Sequence, residues 1–336
     1  MVVVIYLGIN GVRVGELGRL FSFMATGLEV DMFLDVDFYP PASADRRTVT
    51  AYFLVMVAMD HRLSGSGIPY EAVIDGKTHH GADLLYRLGS MKFEEDLSFF
   101  EAGRLAKITT REVVDWLTLG SKLKVRVPDP DIRAELLRDL GLKLLKLFDG
   151  DPYNVVLESR GRLRDVAGGF LNIVKVFKAY QDPVEKKAFL LAKFLERRKV
   201  LEIVDQHNKE VPVDNHLSRI ALRTGLIEVD DRTLTAIASG EEFSEEMDVI
   251  LRLTARKAYK EVSTTSSLNP FILDDMLWSF GRKCCTRDKP ACRYSCSTGR
   301  AELRGRDGGC TLSPTCKAFK DPKYMVPEHT FTTFWY

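Results

Sequence analysis

All six cysteines of this 336-residue chain fall between Cys284 and Cys316, at Cys284, Cys285, Cys292, Cys296, Cys310 and Cys316, and none precedes them. A residue type used only to fill a core would be scattered, so the clustering marks a site that orders a short, loop-like segment. Three chemistries fit. Four thiolates suit a [4Fe-4S] cluster or a tetrahedral zinc, whereas structural disulfides belong to an oxidising compartment or a hyperthermophile cytoplasm and are not expected in an ordinary cytoplasmic chain. The same segment is basic. Residues 281–323 hold eleven Lys or Arg against four Asp or Glu, a balance of +7 that leaves −6 for the rest of a chain of net charge +1. Such a stretch suits phosphate contact, and it equally suits a solvated face.

Upstream of the cysteines the apolar pattern is helical. Ile132, Leu136, Leu137, Leu140, Leu144, Leu145 and Phe148 recur at helical spacing before the turn Asp149-Gly150-Asp151-Pro152. The run from Thr48 to Leu63 is too continuously apolar for a half-exposed helix, so it predicts a buried one ending in the polar group Asp60-His61-Arg62. Asp75-Gly76-Lys77 is a turn signal, after which a helix is expected over Thr78 to Leu88. Two further helices are expected at Arg232 to Ala238 and Phe243 to Tyr259, the second capped by Ser244, and residues 1–45 predict only short, poorly periodic elements. Strand-like alternation is nearly absent and no repeat appears, so the class is all-α. Three regions are expected: residues 1–125, an N-terminal helical region; residues 126–283, a helical core with the active site; and residues 284–336, a metal-binding loop and tail. The longest apolar run, Ala51 to Met59, is nine residues, and the apolar start Met1 to Leu7 lacks a basic leader. No membrane span is expected, and the chain reads as a cytoplasmic monomer.

The stretch Val211-Pro212-Val213-Asp214-Asn215-His216-Leu217-Ser218-Arg219-Ile220 carries the chemistry. Pro212 biases the residue before it away from helix, so a helix can begin only near Asp214, where an Asp suits an N-cap. Leu217, Ile220, Ala221 and Leu226 then form one apolar stripe, and Gly225 ends the helix. A second helix start follows Asp182-Pro183 and places Lys186 and Lys187 in its first turn. An ammonium is disfavoured at a helix N-terminus and loses its proton more easily there, which suits an amine nucleophile; two lysines in a charged turn also suit plain solvation.

The Val-Asp-x-His element resembles that of the helix-hairpin-helix DNA glycosylase superfamily, with Asp214, His216 and Arg219 matching by position. The resemblance implies a two-lobed helical fold and makes Asp214 the catalytic carboxylate. Leu273-Asp274-Asp275-Met276-Leu277-Trp278-Ser279-Phe280-Gly281-Arg282 is similar to the last core helix of that superfamily, which implies Asp274, Trp278, His216 and Arg219 as substrate-binding residues. Cys285-x6-Cys292 and Cys310-x5-Cys316 resemble the opening and closing of the endonuclease III iron–sulfur loop, implying Cys285, Cys292, Cys310 and Cys316 as [4Fe-4S] ligands, with zinc the chemical alternative. The middle departs from that pattern: seventeen residues, Cys296 among them, separate Cys292 from Cys310, and Cys296, near the family's two-residue spacing after Cys292, is the alternative ligand to Cys310. Glu185-Lys186-Lys187-Ala188 resembles the Schiff-base lysine segment of archaeal 8-oxoguanine glycosylases, and Lys187 is the better match. The superfamily's Leu-Pro-Gly-Val-Gly hairpin, whose amides meet a DNA phosphate, is missing. Gly76-Lys77-Thr78-His79-His80-Gly81 with Leu84-Leu85-Tyr86-Arg87 resembles instead the queuosine salvage nucleotide N-glycosidases. Together these imply a base-excision DNA glycosylase with DNA as partner, possessing AP lyase activity if Lys187 forms a Schiff base. An N-glycosidase acting on a free modified nucleotide and a non-catalytic iron–sulfur nucleic-acid binder are the alternatives.

Overall fold

The computed structural model describes residues 7–26, 32–63, 69–166, 168–296, 298–305 and 308–336. The apolar start therefore lies, except for Leu7, outside the described residues. In chain order the elements are β1 (Leu7–Ile9), α1 (Gly11–Met24), α2 (Arg46–Met59), β2 (Glu71–Ile74), β3 (Lys77–His80), α3 (Ala82–Glu95), α4 (Ala102–Leu105), α5 (Thr110–Leu117) and α6 (Pro130–Leu147). They continue with α7 (Pro152–Glu158), α8 (Phe170–Val174), α9 (Lys186–Arg197), α10 (Asn215–Thr224), β4 (Ile227–Val229), α11 (Asp231–Ser239), α12 (Glu245–Ser266), α13 (Pro270–Lys283) and α14 (Lys317–Lys320). The fold is mostly helical, and among the described residues the sheets are two-stranded, β1 with β4 and β2 with β3. No helix among the described residues is long and apolar enough to cross a membrane.

The chain forms two compact units: Met1–Val30 with Lys209–Thr332, and Asp31–Asn208 with Thr333–Tyr336. In the second, α2 is the central element. The Asp45 carboxylate accepts from Thr48 N at 3.0 Å to start it, and Val49, Thr50 and every residue from Tyr52 to Met59 are buried. It packs against α9, α6, α7 and α3. Gly141 lets α6 approach α4 closely: a Cβ there would stand 2.6 Å from Ala102 O and 2.3 Å from Ala106 N.

Two expectations are corrected in this unit. The segment from Lys77 to His80 is a strand rather than the start of a helix, because Asp75 and Gly76 both adopt positive φ and close a two-residue hairpin that pairs Glu71 with His80 and Ile74 with Lys77. The helix begins only at Ala82. Likewise α9 starts at Lys186, not after Asp182, since the Asp182 carboxylate accepts from Val184 N at 2.9 Å and Lys186 N at 2.8 Å and Glu185 sits in the left-handed region. Lys186 and Lys187 still open the helix.

In the first unit, α12 packs against α1, α10 and α13. Leu17, Phe21, Ile220, Ala255, Ala258, Val262, Leu273, Leu277 and Phe280 belong to the buried core. Residues 7–24 contradict the expectation of short elements: β1 pairs antiparallel with β4, Leu7 opposite Val229, and α1 runs fourteen residues with Asn10 as its N-cap. Its apolar residues Val14, Leu17 and Phe21 do recur at helical spacing, but three glycines obscure the pattern.

Candidate active site

Asp214 is the N-cap of α10. Its Oδ1 accepts from Leu217 N at 2.9 Å, and its backbone carbonyl accepts from both Ser218 N at 3.0 Å and Ser218 Oγ at 2.9 Å. The residue is 9% exposed, yet Oδ2 accepts no hydrogen bond among the described residues. Tyr259, fully buried on α12, donates from its hydroxyl to Leu217 O at 2.8 Å. Burial, followed by the charges of Cys285, Asp214 and Asp274, holds its phenol well above the ordinary tyrosine range. Asp214 and Asp274 thus act electrostatically on one phenol. Asp274 is buried on α13, whereas Trp278, four residues on, is 37% exposed with the Arg282 guanidinium 4.4 Å from its ring centre.

The two arginines of α10 hold the segment that follows α13. Arg219 donates from Nη2 to Gly281 O at 2.8 Å and Cys285 O at 2.7 Å, and from Nε to Cys285 O at 3.1 Å. Arg223 donates to Val326 O and Thr286 O at 2.7 Å, to Arg287 O at 2.8 Å, and to Cys285 Sγ at 3.7 Å. Both are buried, and burial lowers Arg219 to about 10. Arg219 also pairs with Glu328, whose Oε1 lies 2.9 Å from His216 Nδ1. The described donors of Arg219 therefore reach carbonyls and a carboxylate of its own unit. Nothing in the sequence marks Glu328 as the partner of Arg219 and His216, or Tyr259 as the partner of the Leu217 carbonyl, because α10 meets them only on folding.

The cysteines divide into two sets. Cys284 and Cys296 are joined as a disulfide, which corrects the expectation of none, while Cys285, Cys292, Cys310 and Cys316 are free. These four, together with Cys284 and with Arg223, Pro290, Leu312 and Met325 among others, line one pocket of about 300 Å³ including its open mouth. Burial pushes Cys310 up to about 12 and Cys316 up to about 11. Thiols so held would give up protons to a metal on binding it. Among the described residues no three His, Cys, Asp or Glu side chains are gathered as a site for a metal ion.

Lys187 stands in the other unit. Fully buried, its Nζ donates to Ala58 O at 2.6 Å and lies 3.3 Å from His61 Nδ1. Burial foremost, and then the charge of Lys186, lowers it well below the usual lysine range, against the opposing pull of Asp60. His61 is lowered too, by burial, Arg133 and Lys187 in that order. Arg133 fixes the turn after α2 by donating to Met59 O, to His61 O at 2.7 Å and to Pro128 O at 2.8 Å. The polar end of α2 thus finds its partners in α6 and α9. The lowering of Lys187 and of His61 favours the uncharged form of each, and the uncharged amine is the one that attacks carbon.

No protein-family model matches the chain, and no curated protein matches it. Among solved structures it is similar to a thermostable thymine-DNA glycosylase, with a TM-score of 0.46 and 12% identity over 92% of this chain and 97% of that one. It is also similar to the 8-oxoguanine DNA glycosylase from Pyrobaculum aerophilum in complex with 8-oxoguanosine, with a TM-score of 0.36 and 15% identity over 80% of this chain and 86% of that one.

Proposed function

We propose that this chain is an N-glycosidase that breaks the bond between a base and its sugar, with a damaged base in DNA as its substrate. The observation that carries the reading is the Asp214 carboxylate, which is nearly buried, held through Oδ1 by Leu217 N, and left with Oδ2 unengaged among the described residues. Cleaving a glycosidic bond builds positive charge on the sugar ring. A pre-set carboxylate stabilises that charge, and its remaining oxygen can take the proton of an attacking water. A base in duplex DNA has first to be flipped out of the stack, and Trp278, 37% exposed with Arg282 over its ring, is assigned to line the receiving pocket by resemblance. Asp274, His216 and Arg219 are assigned to substrate binding by resemblance, and Arg219 also ties α10 to the Gly281 and Cys285 carbonyls.

Lys187 is proposed as the nucleophile of a lyase step, supported by its depressed proton affinity and by its place at the start of α9. Cys285, Cys292, Cys310 and Cys316 are proposed to hold a [4Fe-4S] cluster, supported by their sharing one pocket while Cys284 and Cys296 pair off. The cluster would supply order to the loop, and with it a fixed placement for Arg287, Lys289, Arg293 and Arg300 toward a phosphate backbone.

The second reading, a free modified nucleotide, is supported by the resemblance of Gly76 to Gly81 and Leu84 to Arg87 to the queuosine salvage nucleotide N-glycosidases and by the missing glycine hairpin. The two readings are separated by base release from a duplex containing 8-oxoguanine set beside the corresponding free nucleoside and its monophosphate. Faster release from the duplex supports the first, faster release from the monomers supports the second, and release from neither across a panel of modified bases contradicts both.

A further inference from the structure

Asp214 does not set its own orientation. The first turn of α10 holds it through three bonds, from Leu217 N to Oδ1 and from Ser218 N and Ser218 Oγ to the Asp214 carbonyl. The peptide joining Leu217 to Ser218 carries one of those donors, Ser218 N, on one side and the Leu217 carbonyl on the other. That carbonyl accepts the Tyr259 hydroxyl at 2.8 Å, from a helix whose Leu251, Ala255, Ala258 and Val262 share a buried core with Leu217, Ile220 and Ala221 of α10. Tyr259 is fully buried, and a phenol in such a place could be a phenylalanine unless its hydroxyl has a task. We propose that Tyr259 is a positioning residue for the carboxylate, pinning the 217–218 peptide from α12 so that the turn presents Asp214 Oδ2 at one fixed angle to the reacting sugar carbon.

This inference rests on the reading of Asp214 as the acting carboxylate. The phenol does not touch substrate and moves no proton in the reaction. Its effect is geometric: without it, the 217–218 peptide is left to the ladder of α10 alone, its tilt loosens, and the carboxylate samples orientations that do not face the sugar.

Tyr259→Phe removes one oxygen and keeps the ring that fills the core. Single-turnover base release should fall roughly tenfold to a hundredfold, as expected for a reacting group misplaced by a fraction of an ångström to an ångström. Substrate affinity should stay unchanged, and the amides of Leu217 and Ser218 should exchange faster with solvent than in the wild type. A purely structural hydroxyl would lower the melting temperature and leave the release rate below that temperature untouched, which would overturn the proposal. Ser218→Ala, which removes another bond to the same turn, should lower the rate in the same direction with affinity again unchanged, and it serves if the Phe variant fails to fold; an unchanged rate there counts against the proposal. If Asp214→Asn releases base as fast as the wild type, the carboxylate reading falls and takes this inference with it. If Asp214 is essential while Tyr259→Phe is fully active, only this inference is overturned.

Discussion

Burial removes the proton advantage of Lys187, and the surroundings restore little of it. Its Nζ meets one carbonyl and one imidazole, with Asp60 pulling one way and Lys186 and Arg133 the other. The neutral amine is therefore populated far below the pH at which an ordinary lysine loses its proton. Borohydride trapping of a covalent enzyme–substrate adduct should extend below the pH at which an ordinary lysine loses its proton, and should vanish in Lys187→Ala while surviving in Lys186→Ala. Trapping that survives in Lys187→Ala would remove Lys187 from the mechanism. The position of this lysine at a helix start was legible in the sequence. Its environment was not, since Ala58 and His61 lie well over a hundred residues earlier and nothing local to Lys187 announces them. Asp214 was more legible: a proline that forbids helix, then a capping residue, then an apolar stripe fix its place on α10 without any tertiary information.

At the scale of elements, the packing of α6 on α4 gives a test in which two effects have opposite signs. Alanine is a better helix former than glycine by up to about 1 kcal/mol, so Gly141→Ala would stabilise an isolated helix. Here its Cβ would meet backbone atoms of α4 at 2.3 to 2.6 Å, and backbone cannot swing aside as a side-chain tip can. Overpacking of this kind costs about 1–3 kcal/mol, so the midpoint of chemical denaturation should move down, and an upward shift would contradict the close approach. The helices with clear caps, α10 at Asp214 and α12 at Ser244, had their starts placed from sequence to within about two residues, the usual uncertainty of helix ends, whereas α12 runs on to Ser266, past the expected end at Tyr259. The misplaced starts share a cause. At Lys77 a two-residue hairpin, and at Asp182 a carboxylate that folds back onto its own amides, satisfied the backbone in ways that apolar periodicity does not register.

At the scale of the whole molecule, the first unit is discontinuous, built from Met1–Val30 and Lys209–Thr332. The pairing of Leu7–Ile9 with Ile227–Val229 closes it, a contact between segments so distant that no window along the chain reveals it. The cysteine cluster, by contrast, was visible at once, and the structure adds a sorting: a disulfide between Cys284 and Cys296, four free thiols around one pocket. Anaerobically prepared protein should carry about four irons per chain. Serine at Cys285, Cys292, Cys310 or Cys316 should remove the iron, whereas serine at Cys284 or Cys296 should leave it. Stoichiometric zinc without iron would refute the cluster. The central claim, however, concerns one carboxylate, and Asp214→Asn tests it most directly. Asparagine caps a helix as well as aspartate does and is nearly isosteric with it, so α10 and the melting temperature should be preserved while negative charge and proton affinity are lost. Measured under single-turnover conditions on whichever substrate the wild type cleaves, base release should disappear in a folded Asp214→Asn variant. Release at the wild-type rate would show that Asp214 only caps its helix.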